Sequence, residues 1–231
     1  MSDNILIVES KNDKYFFDAI IRHLSCAIEI APPIIIEDDD FRLLDGLNST
    51  KLESALKDLK TDIQKGKAKK IGIIIDIDSI LEGDRIDFIN SCICKVFPDS
   101  ALIRKTGELI DLNFENLGIQ LACHFTNFNG QGELETVLRV IKNQPSVYAD
   151  CLQKWKECLE SHGQTITTKD FDKFWVSNYL RFDTCLDNEK RQAGRKCSMA
   201  GFEYVMREKT HIWNFDHDAL NSLNEFFYLF C

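Results

Sequence analysis

The sequence predicts an α/β fold, with a mostly parallel sheet flanked by helices and a helical C-terminal elaboration. Up to residue 141, short apolar runs rich in β-branched residues alternate with segments of helical periodicity. After Pro145 only helical periodicity continues. Because alternating strands and helices are typical of parallel sheets, we place the α/β core in residues 1–145 and a mainly helical extension, packing on that core, in residues 146–231.

Hydrophobic periodicity between breaking residues defines each predicted element. Helices are assigned where apolar side chains recur every three or four residues, and strands where apolar residues run together. Prolines at 32–33, 98 and 145 end segments, because proline cannot donate a backbone hydrogen bond. The predicted strands lie at 5–8, 27–31, 71–75 and 119–125, and the predicted helices lie at 12–24, in the second half of 43–64, and at 84–97, 133–141, 148–161, 169–182 and 219–230.

The formal net charge of −9 indicates which partners the chain does not attract in general. A surface of this sign gives no overall attraction to the phosphate backbone of nucleic acids, so a non-specific nucleic-acid coat protein is disfavoured. A nuclease remains compatible with this charge, because local basic patches or bound metal ions can make the contact. The segments Lys190-Arg191 and Arg195-Lys196 are either such a patch or a solvated loop.

Cysteine usage and the character of the N-terminus predict a cytoplasmic protein. The nine cysteines are odd in number and their spacings do not repeat, and Cys92-x-Cys94 has no second pair at zinc-finger spacing. The polar first residues do not read as a secretory signal, and no apolar stretch approaches the length of a membrane span. We therefore expect reduced, mostly buried thiols and no membrane partner.

Carboxylates follow two of the predicted strands. Glu9 comes directly after the first strand, Asp76 and Asp78 follow the strongest strand, and Asp13 lies one helical turn beyond Glu9. The carboxyl ends of parallel strands form the usual active-site edge of an α/β sheet. In an extended pair, Asp76 and Asp78 point the same way while Ile77 faces the core. Converging carboxylates repel one another unless a cation neutralises them, which indicates a Mg²⁺ or Mn²⁺ site.

These residues resemble the motifs of Toprim domains. Residues 5–13 are similar to the opening motif, an apolar strand followed by Glu-Gly-x-x-Asp, with Ser10 in place of the glycine. Residues 73–78 are similar to the Asp-x-Asp motif, and residues 130–135 resemble a Gly-x-Leu-Glu segment of nucleases of the OLD (overcoming lysogenization defect) type. Residues 209–213 approximate the Lys-x-x-His-x-Trp-like stretch of small, stand-alone bacterial proteins with an OLD-like Toprim core, the family that the whole layout resembles most.

The resemblance implies a metal-dependent nuclease that cleaves phosphodiesters in DNA or RNA. A second ion would use Glu135 and a shared carboxylate, and Lys209 would be an electrostatic helper for the developing phosphoryl charge. A role in phage defence or DNA processing, a partner ATPase and a homodimer are further expectations. The expected metal ligands are Glu9, Asp13, Asp76, Asp78 and Glu135.

Several of these residues also have structural alternatives. Asp13 lies beside a predicted N-cap, and Glu135 lies in the first turn of a helix, where the helix dipole favours acidic side chains. Glu133 fits that capping role better than Glu135 does. His124 is interpreted as a core side chain, and the acidic run at 37–40 as a solvated loop. The aromatic C-terminal helix is expected in the core or at a dimer contact.

Three other functions remain open from the sequence. Haloacid-dehalogenase phosphatases also use Asp-x-Asp, usually after the first strand and with Thr or Val two places on, whereas here the strand is internal and Ile80 occupies that position. Metal-dependent glycosyltransferases use Asp-x-Asp too, but their folds begin differently. A catalytically silent or partner-dependent Toprim module for binding or regulation is a second hypothesis, which Ser10 and the net charge of −9 favour. A nucleotidyl-transfer or phosphohydrolase enzyme using the same carboxylates is a third.

Overall fold

A computed structural model of the chain describes residues 3–35 and 47–231, so the predicted acidic loop at 37–40 lies outside the described residues. The described residues form a five-stranded sheet in the order β2-β1-β3-β5-β4. All neighbouring strands are parallel except the β4–β5 pair, which is antiparallel. This architecture confirms the predicted α/β fold with a mostly parallel sheet. The strands are β1 (Asn4–Val8), β2 (Glu29–Ile30), β3 (Lys70–Asp76), β4 (Ile110–Phe114) and β5 (Leu117–Thr126).

Helices follow most strands and continue alone through the later part of the chain. A π-helical turn at Tyr179–Asp183 extends the sixth α-helix, and short 3₁₀ turns join the later helices. None of the helices within residues 3–35 and 47–231 combines the length and the apolar character needed to cross a bilayer. The α-helices are α1 (Lys11–Leu24), α2 (Ser49–Gln64), α3 (Glu82–Val96), α4 (Leu134–Val140), α5 (Val147–Ser161), α6 (Thr168–Asn178), α7 (Ala193–Lys196), α8 (Phe202–Glu208) and α9 (Asn221–Tyr228).

The chain folds into two compact units. The first contains Met1–Thr126 together with Asn221–Cys231, and the second contains Asn127–Leu220. The division predicted after residue 145 differs from this one in two respects, because α4 belongs to the second unit and α9 returns to the first. Periodicity along the sequence identifies an element but not the element against which it packs.

One face of the central strands packs against α2 and α3. Alternate residues of β3, Ile71, Ile73 and Ile75, are at most 1% exposed and share a core with the buried faces of both helices. In α2 this face consists of residues spaced three or four apart, which is the spacing that aligns side chains on one side of a helix. The other residues of β3 point to the opposite face of the sheet.

The opposite face packs against α1 and α9. The ring centroids of Phe17 in α1 and Phe227 in α9 lie 6.1 Å apart, and the rings of Phe226 and His124 lie 5.5 Å apart. Gly72 allows this close packing, because a Cβ atom there would lie 3.1 Å from the Phe226 ring and 2.7 Å from Leu6. The aromatic C-terminal helix therefore belongs to the core of the first unit.

Strand β4 is an element that the sequence did not predict. It forms a hairpin with β5 through Glu115 and Asn116, which both adopt positive φ angles, 50° and 58°. Its burial alternates along Ile110, Asp111 and Leu112, as expected for an edge strand with one solvated face. The alternation of apolar and polar residues at 110–114 could have predicted this strand. It was not predicted because strands were assigned only where apolar residues run together.

The second unit has its own aromatic core. Trp175 in α6 stacks on Tyr179 with ring centroids 5.1 Å apart, and Tyr179 contacts Trp213 at 5.3 Å. The buried Tyr179 hydroxyl donates a hydrogen bond to the carbonyl of Ile212 at 2.8 Å. Buried tyrosine and tryptophan side chains of this kind supply much of the burial energy of a small helical unit.

Two disulfides overturn part of the expectation about cysteines. Cys26 is joined to Cys231 within the first unit, and Cys185 is joined to Cys197 within the second. The expectation of reduced thiols therefore does not hold for these four residues. All nine cysteines lie in the described ranges, and the free ones are Cys92, Cys94, Cys123, Cys151 and Cys158.

Thiol titration of the unfolded chain checks this pairing directly. Without reductant we expect five reactive thiols per chain, and after complete reduction we expect nine. The substitution Cys185→Ser is expected to free the thiol of Cys197, so the non-reduced variant should have one reactive thiol more than the non-reduced wild-type chain. Nine reactive thiols in the freshly purified, non-reduced chain would contradict the two disulfides.

Candidate metal centre

The structure brings Glu9 and Asp76 to the same edge of the sheet. Strands β1 and β3 run parallel with Val8 opposite Ile74, so both strands end at neighbouring positions. The Glu9 carboxylate follows directly, and its Oε2 accepts a hydrogen bond from the backbone N–H of Asp76 at an N–O distance of 3.3 Å. These two predicted ligands therefore meet at the carboxyl edge of adjacent parallel strands, where α/β proteins place their sites.

Asp76 projects to the side of the sheet that carries α1. Alternate residues of a strand share a face, so Asp76 lies on the same face as Gly72. Gly72 packs against the aromatic side chains of α9, on the face that α1 and α9 cover. Thr126 is opposite Asp76 in the parallel register and shares that face. Its buried Oγ1 has no hydrogen-bond partner among the described residues. Thr126 is thus a further polar group at this edge, which the sequence analysis missed although it ends β5 as Asp76 ends β3.

Asp78 does not continue the strand, which corrects one step of the sequence analysis. Strand β3 ends at Asp76, and Asp78 has a φ of 54°, in the left-handed region. The two carboxylates are therefore not aligned as an extended pair. Ile77 between them is 3% exposed and packs in the core, as expected.

Arg85 is the residue that the sequence analysis did not connect with this site. Its Nη2 donates to Asp78 Oδ2 at 2.7 Å, and the residue is only 7% exposed. Arg85 lies in the first turn of α3, whose amphipathic packing turns this side chain inward. Arg85 is the sole Lys or Arg between Asp76 and Lys95, and this position close after the Asp-x-Asp motif could have indicated it as a partner of those acids. The Asp78 carboxylate therefore has a cation supplied by the protein itself.

Ser10 and Asp13 form a capping box at the start of α1. Ser10 Oγ and its backbone N–H donate to Asp13 Oδ2 at 2.7 and 2.9 Å, and the Asp13 backbone N–H donates to Ser10 Oγ. Ser10, rather than the predicted Asn12, is therefore the N-cap. Its φ of −123° is accessible to any residue, so this turn does not require the glycine found in the resembled motif.

Asp13 has a structural role in this arrangement. The side chain is 3% exposed and lies in the first turn of α1, where unpaired backbone N–H groups favour a negative charge. One carboxylate oxygen is used by Ser10. The capping alternative for Asp13 therefore describes its observed contacts, and its part in a metal site stays a prediction.

Glu135 lies in the second unit, at the start of α4. Glu133 is the N-cap of this helix, and Gly132 before it has a φ of 94° and leaves no room for a Cβ beside Thr136. Burial, followed by the negative charge of Glu133, raises the pKa of the Glu135 carboxyl to about 7. Lys169 lies 2.8 Å from the Glu133 carboxylate. Glu133 thus caps the helix as the alternative suggested, and a metal role for Glu135 stays a prediction.

Lys209 has structural contacts that occupy its ammonium group. Its Nζ donates to Glu189 Oε2 at 2.7 Å and to the Thr184 carbonyl at 2.8 Å, and it lies 3.8 Å from Cys197 Sγ. The residue is 3% exposed. An ammonium carries three donors, and all three have partners here. These contacts give Lys209 a structural role within the second unit, and its role as an electrostatic helper stays a prediction.

One protein family matches nearly the whole chain. The matched residues are 3–231, and the family is described as Protein of unknown function (DUF3226). No curated protein and no solved structure matches the chain. The match spans residues of both units, and the family description names no activity.

Proposed function

The chain belongs to the DUF3226 family, and we propose that it is a metal-dependent enzyme that cleaves phosphodiesters in nucleic acid. The observation that supports this most is the meeting of Glu9 and Asp76 at the carboxyl edge of β1 and β3, with 3.3 Å between Glu9 Oε2 and the Asp76 nitrogen. Asp78 follows two residues later at the same edge.

The donor set fits Mg²⁺ or Mn²⁺. Such ions take oxygen ligands in octahedral geometry and usually use one or two carboxylates, with water and substrate phosphate completing the shell. Glu9 and Asp76 would supply these carboxylates. When bound, the ion supplies Lewis-acid stabilisation of the charge that develops on the phosphate. The proposal covers one ion, because Glu135 has its own neighbours in the second unit.

Arg85 and the protein backbone orient the acidic groups. The Arg85 guanidinium holds the Asp78 carboxylate through an ion pair in a largely buried position, which fixes that side chain before substrate binds. The Asp76 backbone N–H does the same for Glu9. Preorganised side chains of this kind lower the reorganisation that catalysis requires.

Thermal unfolding with and without Mn²⁺ tests the proposed centre. At a Mn²⁺ concentration about 100-fold above the dissociation constant, binding to the folded state alone is expected to stabilise the chain by about 2.7 kcal/mol. Asp76→Asn and Glu9→Gln are expected to remove most of this stabilisation, because each replaces a charged oxygen ligand by a neutral amide. Asp87→Asn, at an exposed acid on α3, is the matched control and should keep the full shift.

Cleavage assays with Mn²⁺ complete the test. We expect the wild-type chain to cleave at least one of plasmid, single-stranded DNA and tRNA, and Asp76→Asn to be inactive. A Mn²⁺ shift that persists unchanged in Asp76→Asn would overturn the metal centre. Conversion of labelled nucleotides in place of polymer cleavage would move the assignment to a nucleotidyl-transfer or phosphohydrolase enzyme with the same carboxylates.

A second candidate function is a catalytically silent or partner-dependent module. The ion pair between Arg85 and Asp78 favours it, because a protein cation neutralises one acid of the cluster without a metal. The same experiments separate the two. Metal binding that leaves every nucleic acid intact would support the module, and the expected partner ATPase would then be the component to add.

A further inference from the structure

An exposed pair of aromatic rings stands out on the second unit. Tyr148 at the start of α5 is 62% exposed, and Phe182 in the π-helical turn is 56% exposed. Their ring centroids lie 5.8 Å apart with 36° between the ring planes. We call this pair, with Arg181 and Lys190 beside it, the aromatic platform. Contiguous exposed apolar surface marks binding sites more often than apolar side chains scattered singly do.

The backbone beneath the aromatic platform is firmly held. The Asp183 carboxylate accepts hydrogen bonds from the backbone N–H groups of Tyr148 and Ala149, both at 2.9 Å, and so ties the π-helical turn to the first turn of α5. The same turn begins at Tyr179, which is fully buried in the core of the second unit. Single π-helical turns are rare and occur frequently at functional sites. The two rings are therefore presented by ordered backbone.

The segment that carries Phe182 is rich in exposed basic side chains. Lys190 forms an ion pair with the exposed Asp187 at 2.7 Å, and this pairing is the main cause of its raised pKa. Tyr148 and Arg181 make smaller contributions of opposite sign to that pKa. The other acidic side chains of this segment have partners within the protein. Asp183 accepts backbone hydrogen bonds at the start of α5, and the buried Glu189 pairs with Lys209. The exposed arginines of the segment are Arg181, Arg191 and Arg195.

This combination of groups matches one class of ligand. Exposed rings stack on unpaired bases, and arginine side chains contact phosphates, which together form the usual surface for single-stranded nucleic acid. In a duplex the bases already stack on each other and cannot reach a protein ring. In a chain whose net charge is −9, a segment with four exposed basic residues, Arg181, Lys190, Arg191 and Arg195, differs from the average charge of the sequence.

We propose that the aromatic platform binds single-stranded nucleic acid through stacking on Tyr148 and Phe182. The inference rests on the proposed function and deepens it, because it names single strands as the substrate class. It concerns the second unit alone and needs no metal ion, so the two proposals can fail separately.

Binding of a labelled oligonucleotide in EDTA tests the proposal. Fluorescence anisotropy of an oligo(dT) and an oligo(U), each of about 20 nucleotides, is expected to show binding by the wild-type chain that weakens steeply with salt. The double substitution Tyr148→Ala with Phe182→Ala is expected to weaken binding by about tenfold or more, since each ring supplies one stacking site. Arg181→Ala should weaken binding and reduce its dependence on salt.

The chain offers a matched control in its second exposed ring pair. Trp155 and Phe174 have ring centroids 5.3 Å apart and are 39% and 42% exposed, but they lie outside the aromatic platform. Their double substitution by alanine should leave binding unchanged. Because all four rings are exposed, circular dichroism and thermal unfolding should confirm that each variant folds.

Three results would overturn the platform. The first is equal binding by the wild-type chain and the Tyr148→Ala, Phe182→Ala variant, and the second is equal binding of a duplex of the same length. The third is no oligonucleotide binding by the wild-type chain, which would leave a protein partner as the occupant of these rings. Binding in EDTA without any cleavage in Mn²⁺ would instead retain the platform and reject the proposed nuclease.

Discussion

Replacing Lys209 by methionine is expected to lower the free energy of unfolding by about 3–5 kcal/mol, because it leaves a buried carboxylate without its cation. Glu189 is 5% exposed, and its Oε2 lies 2.7 Å from Lys209 Nζ. Burial alone opposes ionisation of Glu189, yet its pKa is lowered, through the hydrogen bonds and charge supplied chiefly by Lys209. Urea unfolding of the disulfide-bonded chain measures the change.

Paired substitutions show whether this loss comes from the ion pair. Lys209→Met combined with Glu189→Met is expected to be more stable than Lys209→Met alone, since the double variant contains no unpaired buried charge. Lys154→Met removes a cation from the exposed pair with Glu157 and should have no measurable effect. A Lys209→Met variant with wild-type stability but reduced cleavage would instead support Lys209 as an electrostatic helper in catalysis.

Acidification is expected to destabilise the first unit through His124. Burial lowers the pKa of this imidazole from 6.5 to about 4, and the residue is 7% exposed. The folded pKa lies below the unfolded one, so the unfolded chain binds a proton more readily. The stabilisation is present above the unfolded pKa and is lost as the pH falls through the folded pKa. Over this window the loss amounts to about 3 kcal/mol at most.

Comparing variants isolates this contribution from the titration of carboxylates. The difference in unfolding free energy between about pH 7 and about pH 4 should be smaller in His124→Leu than in the wild-type chain, because leucine fills a similar volume and does not titrate. His23→Gln, at an exposed histidine of α1, is the matched control for the loss of one histidine. Identical pH profiles for His124→Leu and the wild-type chain would contradict a buried neutral imidazole packed on Phe226.

The ion pair of Asp78 with Arg85 is the reason to measure both metal binding and cleavage of nucleic acid. A motif of two acids indicates a metal when no other cation is at hand, but Arg85 reaches Asp78 at 2.7 Å. The Glu9–Asp76 contact remains the stronger support for the metal centre, because it joins two predicted ligands directly through adjacent strands. The two proposed sites also differ in what they bind, since the aromatic platform is argued from stacking and charge without any ion.

Several features of the site could be predicted from the sequence because they depend on interactions between residues that are close together along the chain. The apolar runs before Glu9 and Asp76 predict buried parallel strands, and the ends of adjacent parallel strands must come together. The burial of Ile77 also follows from this pattern. Ser10 could have been identified as an N-cap, since serine followed by an acid three residues later is the capping-box spacing.

Other features required the tertiary structure, because they join residues far apart in the sequence. By itself, the sequence determined the mostly parallel α/β fold and the positions of Glu9 and Asp76 at strand ends. The tertiary structure alone decided that Lys209 pairs with Glu189, that Cys26 pairs with Cys231, and that α9 completes the core of the first unit. Periodicity reports which face of an element is apolar. The partner of that face is selected by packing and charge pairing among distant segments, which no local pattern contains.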